Sequence, residues 1–513
     1  MPQVVVNNLD KLGVVSDIAP FNTPPNAFTS ARNVSFINGG VAKSGNRTEV
    51  LVPAEERANA TYSKDGVIYY GTKDSIYRNT GVDSILMNKG GLPYTSIAHK
   101  WNITELSNVL IFNNGVEAPQ MLIPQQPTFA DLTAWGYENG EQKTWTVTKM
   151  VAYKNFLLAL GVIEDGTEYP QRVRWSDLAV PNQAPPTWDA TDTTASAGFN
   201  DLSEARGNII DAVPMGDYLV LYTAQDVFIV SYVGGNNIFA FRKSMSDVSI
   251  LAEGCAVNIN GGHFLVTTND VVIHNGSTWQ SIITDRIKEE LFSAVRTTDY
   301  KQVRVQNYPA KSEVWILYPS AKGMELDRAA IYSTVNQTWT FRELPNLTCI
   351  GYGVVPSKDS LIDEVHDIIN DNHNIINGVG KDFIKSSLYA VSSDLKFWAV
   401  DEGVTGSINI PCTLIKQSMD FDDWGVEATQ HKQIKAVYPQ FSGSGTVMIS
   451  IGVAENPYEA PKWSVAVPFR IGTDRKADFR VTGRYISIRF QGFENAAWTL
   501  LSYGIDGAPR GMR

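Results

Sequence analysis

Short apolar runs separated by polar, turn-forming residues recur along most of this chain. Between residues 215 and 276 the apolar runs lie at 218–222, 227–233, 238–241, 263–266 and 271–273. The residues between them readily form tight turns and include Gln225-Asp226, Gly234-Gly235-Asn236-Asn237 and Asn269-Asp270. Because each run is short and rich in β-branched and aromatic residues, the pattern predicts antiparallel strands joined by hairpins.

The same unit of strand, turn and strand is found elsewhere in the chain. Besides the two copies within 215–276, copies lie at 65–78, 108–123, 156–175, 313–342 and 387–400. Copies recur about every 40 to 50 residues, the period of propeller blades, in which four-stranded sheets pack face to face around an axis. We therefore predict an all-β chain with a β-propeller at 56–403. A stack of β-sandwiches predicts similar strand signals.

The two ends of the chain have a different pattern of apolar and polar residues. Seven runs between 408 and 505 alternate apolar and polar residues, which predicts a C-terminal β-sandwich platform at 404–513. Three prolines between residues 20 and 25 favour an extended arm within the N-terminal segment 1–55, and 31–37 has the pattern of a strand. Such an arm either joins the platform of its own chain or contacts a neighbouring subunit.

Two insertions interrupt the repeated pattern. Residues 176–208 are rich in Pro, Thr, Ser and Ala and show little periodicity, which is typical of a long functional or disordered loop. Residues 357–385 contain apolar residues at helical spacing, which predicts a short helix over the propeller face. These apolar residues are Leu361, Ile362, Val365, Ile368 and Ile369.

Composition and charge narrow the classes of function. The 513 residues carry a net charge of −11, which argues against a protein that wraps nucleic acid on a basic surface. Cys255, Cys349 and Cys412 lie far apart, so we expect reduced, buried thiols and no disulfide framework. We see no secretory signal in the first 30 residues and no stretch of about 18 apolar residues, so no membrane span is predicted.

Motifs for metal or nucleotide chemistry are weak or absent in the sequence. His366 and His373 are seven residues apart, so a helix would place both on one face and a metal site is conceivable. The acids around them, Asp363, Glu364, Asp367 and Asp371, are explained equally well by a solvated acidic helix. No GxSxG, HExxH or Walker motif is present, and Asp371-Asn372 lacks the glycine and distal glutamate of an EF-hand loop.

Carboxylates and tryptophans supply the other candidates for chemistry. Asp422-Asp423 could mimic a glycosidase dyad, although adjacent acids are commonly surface residues. Six tryptophans could stack on sugars or fill the cores of blades. They are Trp145, Trp175, Trp279, Trp315, Trp339 and Trp398.

Several stretches together resemble a known family. They comprise Arg172-Val173-Arg174-Trp175-Ser176-Asp177, Trp188, Ala197-Gly198, Asp201-Leu202, Gly207-Asn208-Ile209, and the runs 214–235 and 261–276. The ends of the chain, 13–46 and 483–513, add to this set. In this order they resemble the tail nozzle proteins of short-tailed bacteriophages, also called tail tubular protein B or stabilisation proteins. The resemblance covers nearly the whole chain.

The resemblance implies a structural virion protein. Family members combine a β-propeller with a β-rich platform and form a homohexameric ring below the tail adaptor protein, around the channel through which genomic DNA leaves. Tail fibres or tailspikes are further possible partners, and the DNA passes without sequence-specific binding. The family has no enzymatic chemistry in the ring, so the resemblance implies no catalytic, cofactor or metal residues.

If the protein lines a channel for DNA, two further expectations follow. Six chains of charge −11 carry −66 in total, and an acidic lumen would keep DNA from adhering as it passes. The insertions 176–208 and 357–385 are our candidate gates for retaining packaged DNA. Two other classes stay open: a propeller-based glycoside hydrolase or polysaccharide-binding tail protein, and a monomeric scaffold for protein partners.

Overall fold

Strands dominate the part of the chain that the computed structural model describes. The described residues are 4–98, 100–235, 237–296, 299–320, 325–356, 386–402 and 406–510. Within these ranges there is one α-helix, Lys288–Arg296, and no helix is long and apolar enough to cross a membrane. Short 3-10 helices lie at Pro20–Asn22, Lys89–Gly91, Tyr300–Gln302, Pro309–Lys311 and Asp422–Trp424.

Seven four-stranded antiparallel units, here called blades 1 to 7, follow one another along the chain. Blades 1 to 5 are separate sheets, whereas blades 6 and 7 share one long strand of a larger sheet. Blade 1 consists of Ala60–Lys64, Val67–Gly71, Ile76–Asn79 and Ser84–Leu86. Blade 2 consists of Asn102–Leu106, Val109–Asn113, Gln120–Leu122 and Ala130–Asp131. Blade 3 consists of Trp145–Tyr153, Phe156–Glu164, Thr167–Trp175 and Gly198–Asp201. A small hairpin precedes blade 3 and pairs Tyr137–Glu138 with Glu141–Gln142.

The remaining blades continue the series. Blade 4 consists of Ile209–Met215, Tyr218–Thr223, Asp226–Tyr232 and Phe239–Ser246. Blade 5 consists of Ala256–Ile259, Gly262–Val266, Val271–His274 and Trp279–Ser281. Blade 6 consists of Arg304–Tyr308, Glu313–Tyr318, Leu326–Ser333 and the first half of Trp339–Val354. Blade 7 consists of the second half of Trp339–Val354, Ser386–Ser392, Phe397–Ala399 and Thr48–Glu49.

The blades form a closed ring around an axis. The first strand of each blade lies innermost and contacts the first strands of both neighbouring blades. Facing blades bury apolar side chains between them, because alternate residues of a strand point to opposite faces. Between blades 3 and 4, Leu158 and Leu160 pack with Leu219, Leu221 and Val230, each at most 1% exposed. The predicted all-β propeller is therefore confirmed.

A β-sandwich of two sheets is attached to the propeller, as predicted. The first sheet contains Val4–Val6, Val34–Ile37, Gly40–Lys43, His431–Gly443, Ala477–Gly483 and Trp498–Arg510. The second contains Ser30–Arg32, Cys412–Met419, Thr446–Ala454, Lys462–Trp463, Val467–Arg470 and Tyr485–Gly492. Ile449 and Ile488 of the second sheet and Val437 and Ile505 of the first are fully buried in the same core.

The N-terminal segment runs through both parts of the molecule. Val4–Val6 pairs with residues 503–505 of the sandwich, and Arg32 bridges in parallel to Phe341 of blade 6. The segment then reaches blade 7, where Glu49 pairs with Trp398. Thr48–Glu49 lies within the predicted N-terminal segment 1–55, but it belongs to the propeller.

Three details differ from the sequence-based expectations. The strand expected at 31–37 is divided at Asn33, which adopts a positive φ of 56°, a conformation that asparagine tolerates. One of the seven alternating runs expected in the C-terminal part, at 462–469, forms two short strands, because residues 464–466 interrupt the pairing. Residues 176–208 are not simply a loop, since Gly198–Asp201 completes blade 3. The helix expected in 357–385 lies outside the described residues.

Candidate functional site

The propeller axis contains two adjoining cavities. The larger has a volume of about 970 Å³ and the smaller about 330 Å³. Asn59, Lys100, Glu253 and Arg304 border both of them. Because the innermost strands of the blades converge here, the axis is the place where side chains from distant parts of the sequence meet.

An ion cluster on the axis joins blades 3, 4 and 5. The ammonium of Lys149 lies 2.5 Å from Asp211 and 3.2 Å from Glu253. Asp211 is 1% exposed and also accepts hydrogen bonds of 2.7 Å from the backbone N–H groups of Ala212 and Gly254. These contacts replace the water that the carboxylate loses on burial. Each charged partner comes from a different blade or connection, so the cluster fixes how the three blades sit.

Electrostatics stabilise the ionised forms within this cluster. Burial opposes charge on Lys149, but attraction to Asp211 and Glu253 outweighs it and raises the pKa of the lysine. Burial likewise opposes charge on Glu253, yet Lys149 and Arg304 lower the pKa of this carboxyl below its ordinary value. Both effects favour a permanent ion pair, which does not titrate near neutral pH.

Arg304 and Lys100 add positive charge beside the cluster. One terminal nitrogen of Arg304 donates hydrogen bonds of 2.8 Å to the carbonyl oxygens of Glu253, Lys301 and Val303. Burial and the nearby Arg304 lower the pKa of Lys100 to about 7. This amine can therefore exchange a proton near neutrality. No group of three or more His, Cys, Asp or Glu residues that could hold a metal occurs among the described residues.

Two of the histidines are locked in a core contact between blades 4 and 5. The hydroxyl of Tyr222 lies 2.6 Å from Nδ1 of His263 and 2.6 Å from Nε2 of His274. Nε2 of His263 lies 3.0 Å from the carbonyl oxygen of Pro214, and the N–H of Gly276 donates to Nδ1 of His274 over 3.2 Å. Both imidazoles are at most 1% exposed, so this contact is structural.

The residues that the sequence suggested for sugar or metal binding do not come together in one site among the described residues. Five of the six tryptophans are buried, at 9% exposure or less: Trp145, Trp175, Trp315, Trp339 and Trp398. Trp279 is 53% exposed at the outer edge of blade 5. Asp422 and Asp423 belong to a 3-10 turn in the sandwich, and the structure brings neither to the axial cavities. His366 and His373 lie outside the described residues.

The thiols and the first candidate gate can also be placed. Cys255, Cys349 and Cys412 are buried and unpaired with one another, and burial raises the pKa of each thiol. In the insertion 176–208, Trp188 is fully buried and its ring lies 4.9 Å from that of Trp135, at 90°. This insertion is therefore packed against the propeller over part of its length.

Sequence reasoning missed the axial ion cluster. Lys149, Asp211 and Glu253 are far apart in the chain and form no recognisable spacing. The available signal was indirect: Lys149 and Asp211 are the single charged residues in the first strands of blades 3 and 4. A charged residue buried at that position needs a partner of opposite charge, so its presence there indicates an ion pair.

Comparisons with known proteins give no family. No family model matches the chain, and no curated protein matches it. Solved structures that it resembles include YCF48 from Cyanidioschyzon merolae, with 8% identity over 69% of this chain and 98% of that one, at a TM-score of 0.39. The WD40 repeats of RRP9 share 8% identity over 70% of this chain and 99% of that one, at 0.38.

A third structure is PorZ, a bacterial surface component of the type-IX secretion system of Porphyromonas gingivalis. It shares 7% identity over 83% of this chain and 46% of its own length, at a TM-score of 0.38. Similarities this low carry no argument about function. The fold assignment rests on the strand pairing within the chain itself.

Proposed function

We propose that this protein is a wall subunit of the tail nozzle of a short-tailed bacteriophage. Six copies form a ring below the tail adaptor protein, and the ring encloses the channel that retains the genome and later releases it. The proposal rests on the resemblance described above, and one structural observation favours it over a catalytic role. That observation is the way in which the N-terminal segment joins the sandwich to the propeller.

The join couples the sandwich and the propeller mechanically within one subunit. Strands from the first 50 residues pair with the sandwich, bridge to blade 6 and complete blade 7. Buried polar contacts reinforce the join, because Arg342 of blade 6 donates a 2.7 Å hydrogen bond to the Ser35 hydroxyl and is 1% exposed. Two domains tied in this way resist relative motion, which suits a wall that holds pressurised DNA.

The axial chemistry is consistent with the same role. The charged groups of blades 3 to 5 are committed to pairing with one another, and their shifted pKa values favour the paired state. We assign to the axial ion cluster the role of holding the blades together around the cavities. In this proposal the DNA channel lies between the six subunits, at their shared axis, and not within a propeller.

Electron microscopy of purified particles tests the proposal. Antibody or gold labelling of a C-terminal tag should mark the tail below the adaptor, and image averaging should show six copies around a channel. Isolated protein should be imaged with and without the adaptor, because the adaptor can be needed as a template. Labelling of the capsid or of lateral fibres, or a ring with no central channel, would contradict the proposal.

The candidate gate in 176–208 needs a narrower test than deletion of the whole segment. Removing Trp188 or Gly198–Asp201 would damage the propeller itself, since both are built into it. Residues 190–195 lie between these anchors, and Thr191–Thr194 are exposed. Replacing 190–195 with a glycine-serine linker of equal length should cause full particles to leak DNA. Normal retention would remove this stretch as a gate.

A further inference from the structure

A cleft at the outer edge of blade 5 has the features of a binding site that the wall function does not use. It has a volume of about 600 Å³ and lies beside the helix-bearing connection to blade 6. Its most informative lining residues are Trp279, Gln280, Arg286, Tyr332 and Gln337.

Trp279 stands at the mouth of the cleft with its indole ring half in solvent. It is 53% exposed, whereas the five other candidate tryptophans are buried in blade cores. Its backbone is held in place by pairing with His274 and by the preceding turn. In that turn Oδ1 of Asn275 accepts hydrogen bonds from the N–H groups of Ser277 and Thr278 at 3.0 and 2.9 Å. The exposed ring is therefore held on a fixed support.

Tyr332 forms the inner wall of the cleft and has an unused hydroxyl. The residue is 4% exposed, and its ring lies 5.0 Å from Trp339 and 6.0 Å from Phe264. Its hydroxyl has no hydrogen-bond partner among the described residues and is not one of their fully buried unpaired atoms, so it is accessible from the cleft. Because the residue lines the cleft, a ligand in the cleft can supply that partner.

Polar side chains surround the two aromatic residues. The amides of Gln280 and Gln337 make no hydrogen bond with the rest of the described chain. Arg286 uses one nitrogen to donate to the carbonyl oxygen of Leu12 over 3.3 Å, and its remaining N–H groups have no partner among the described residues. The cleft therefore combines an aromatic platform with several donors and acceptors.

We infer that this cleft binds a short oligosaccharide. A sugar ring presents an apolar C–H face, which packs on an indole ring, and hydroxyl groups around its edge, which pair with amides, guanidinium and phenol. Arg286 supplies a single positive charge, which favours a sugar that carries a carboxylate. One positive charge is too few for a nucleic-acid strand, whose binding needs many cationic contacts. The scarcity of apolar lining argues against a lipid.

Titration of the full-length protein with defined oligosaccharides tests this inference. The probes are cellotetraose and maltotetraose as neutral chains and tetragalacturonate as an acidic chain, followed by tryptophan fluorescence and calorimetry. We expect at least one probe to bind, with tetragalacturonate preferred. Trp279→Ala should weaken binding at least tenfold, and Tyr332→Phe should weaken it about fivefold to tenfold. Tyr458→Ala, at a 77% exposed aromatic residue of the sandwich, is the matched control and should bind normally.

The outcomes distinguish this inference from the proposed wall function. Loss of sugar binding in Trp279→Ala with normal ring assembly supports the cleft and leaves the wall function intact. Absence of binding to every probe at millimolar concentration, or equal binding by Trp279→Ala and wild type, overturns the inference. If Trp279→Ala instead abolishes ring assembly, the exposed indole is a contact between subunits and the inference is also wrong.

Discussion

The hydrogen bonds around Tyr222 run in one direction, and this fixes the protonation of two histidines. The carbonyl of Pro214 can only accept, so His263 carries its proton on Nε2 and accepts the Tyr222 hydroxyl proton at Nδ1. The N–H of Gly276 can only donate, so His274 is protonated on Nε2 and donates to the Tyr222 oxygen. Every donor and acceptor is used once, and both imidazoles must be neutral.

Stability should therefore fall as the pH falls from about 6.5 to about 4. Burial and the neighbouring His263 lower the pKa of His274 to about 4 from an ordinary value of 6.5. Between these values the unfolded chain binds a proton that the folded chain does not, so acid favours unfolding. The full loss attributable to His274 is about 3 kcal/mol. Urea unfolding at pH 7.5, 6, 5 and 4.5 measures it.

The contribution of His274 is isolated by comparison with a variant. His274→Gln cannot take up the proton, so the free energy of unfolding should decline less steeply with acid than in wild type. Acidic residues elsewhere titrate in both proteins and cancel in the difference. Parallel pH profiles for the two proteins would show that His274 does not control this loss.

Removing the central hydroxyl should be costly at every pH. Tyr222→Phe leaves Nδ1 of His263 and Nε2 of His274 without their partner in a fully buried position. We expect a loss of about 2–4 kcal/mol in the free energy of unfolding, because each unsatisfied buried group costs about 1–3 kcal/mol. Tyr218→Phe in the same strand is the control, since that side chain is 48% exposed. Equal stabilities of the two variants would contradict this account.

The stability of single strands in the propeller depends on side chains from other blades. The first strands of blades 3 and 4 and the connection before blade 5 meet through Lys149, Asp211 and Glu253. Lys149→Met should destabilise the protein by about 3–5 kcal/mol, because Asp211 would remain charged and buried without its cation. Thermal or urea unfolding of the variant gives the value.

A double variant tests whether the unpaired charge causes that loss. In Lys149→Met combined with Asp211→Asn, position 211 no longer carries a charge, and Glu253 still lies beside the positive charge of Arg304. The double variant should recover a substantial part of the lost stability. If it is less stable than Lys149→Met alone, hydrogen bonds made by Asp211 to the backbone matter more than its charge.

The strand that closes the ring is short, so one hydrogen bond in it should matter. The N–H of Val50 donates to the carbonyl oxygen of Phe397 over 3.0 Å, directly after Thr48–Glu49. Val50→Pro removes that donor, and we expect a loss of about 1–3 kcal/mol with faster proteolysis between blades 1 and 7. Val50→Ala keeps the N–H and should retain most of the stability. Equal protease sensitivity would argue that the strand does not close the ring.

At the scale of the whole molecule, the sequence predicted what alternation and turn residues encode. The strands around 218–232 and 313–342 were located within a few residues, because period-two patterns and Asp or Gly turns are local signals. The helix Lys288–Arg296 was missed, since its nine residues lie among strands. The pairing of Glu49 with Trp398 could not be predicted, because it joins two-residue and three-residue strands that are hundreds of residues apart.

The candidate site was less predictable than the fold, for a related reason. Trp279 and the buried Trp145 and Trp339 each lie between two polar residues in the sequence. Only the position of the last strand of blade 5 at the rim leaves Trp279 exposed. Tyr332 comes from a different blade, so its place in the same cleft depends on packing between blades. Neither distinction is present in the local pattern.

The net charge of the chain bears on the proposed ring. Rings of six chains, each of charge −11, should not retain double-stranded DNA even at low salt, because their excess charge has the sign of the phosphates. Gel-shift or filter binding at 20 and 150 mM salt measures this for assembled rings. Tight binding at 20 mM salt that disappears at 150 mM would indicate a basic lumen and contradict the expected acidic one.

The route of the N-terminal segment has a consequence for biosynthesis. Residues 4–6 pair with 503–505, and residues 48–49 pair with 398–399, so the part of the chain that leaves the ribosome first finds its partners last. During translation, before residues 398–399 are made, Thr48–Glu49 has no strand to pair with, so the propeller ring stays open. A subunit truncated at its C-terminus would lack a sandwich partner strand for Val4–Val6. Only chains that include both partner strands can then close the propeller and complete the sandwich of the subunit.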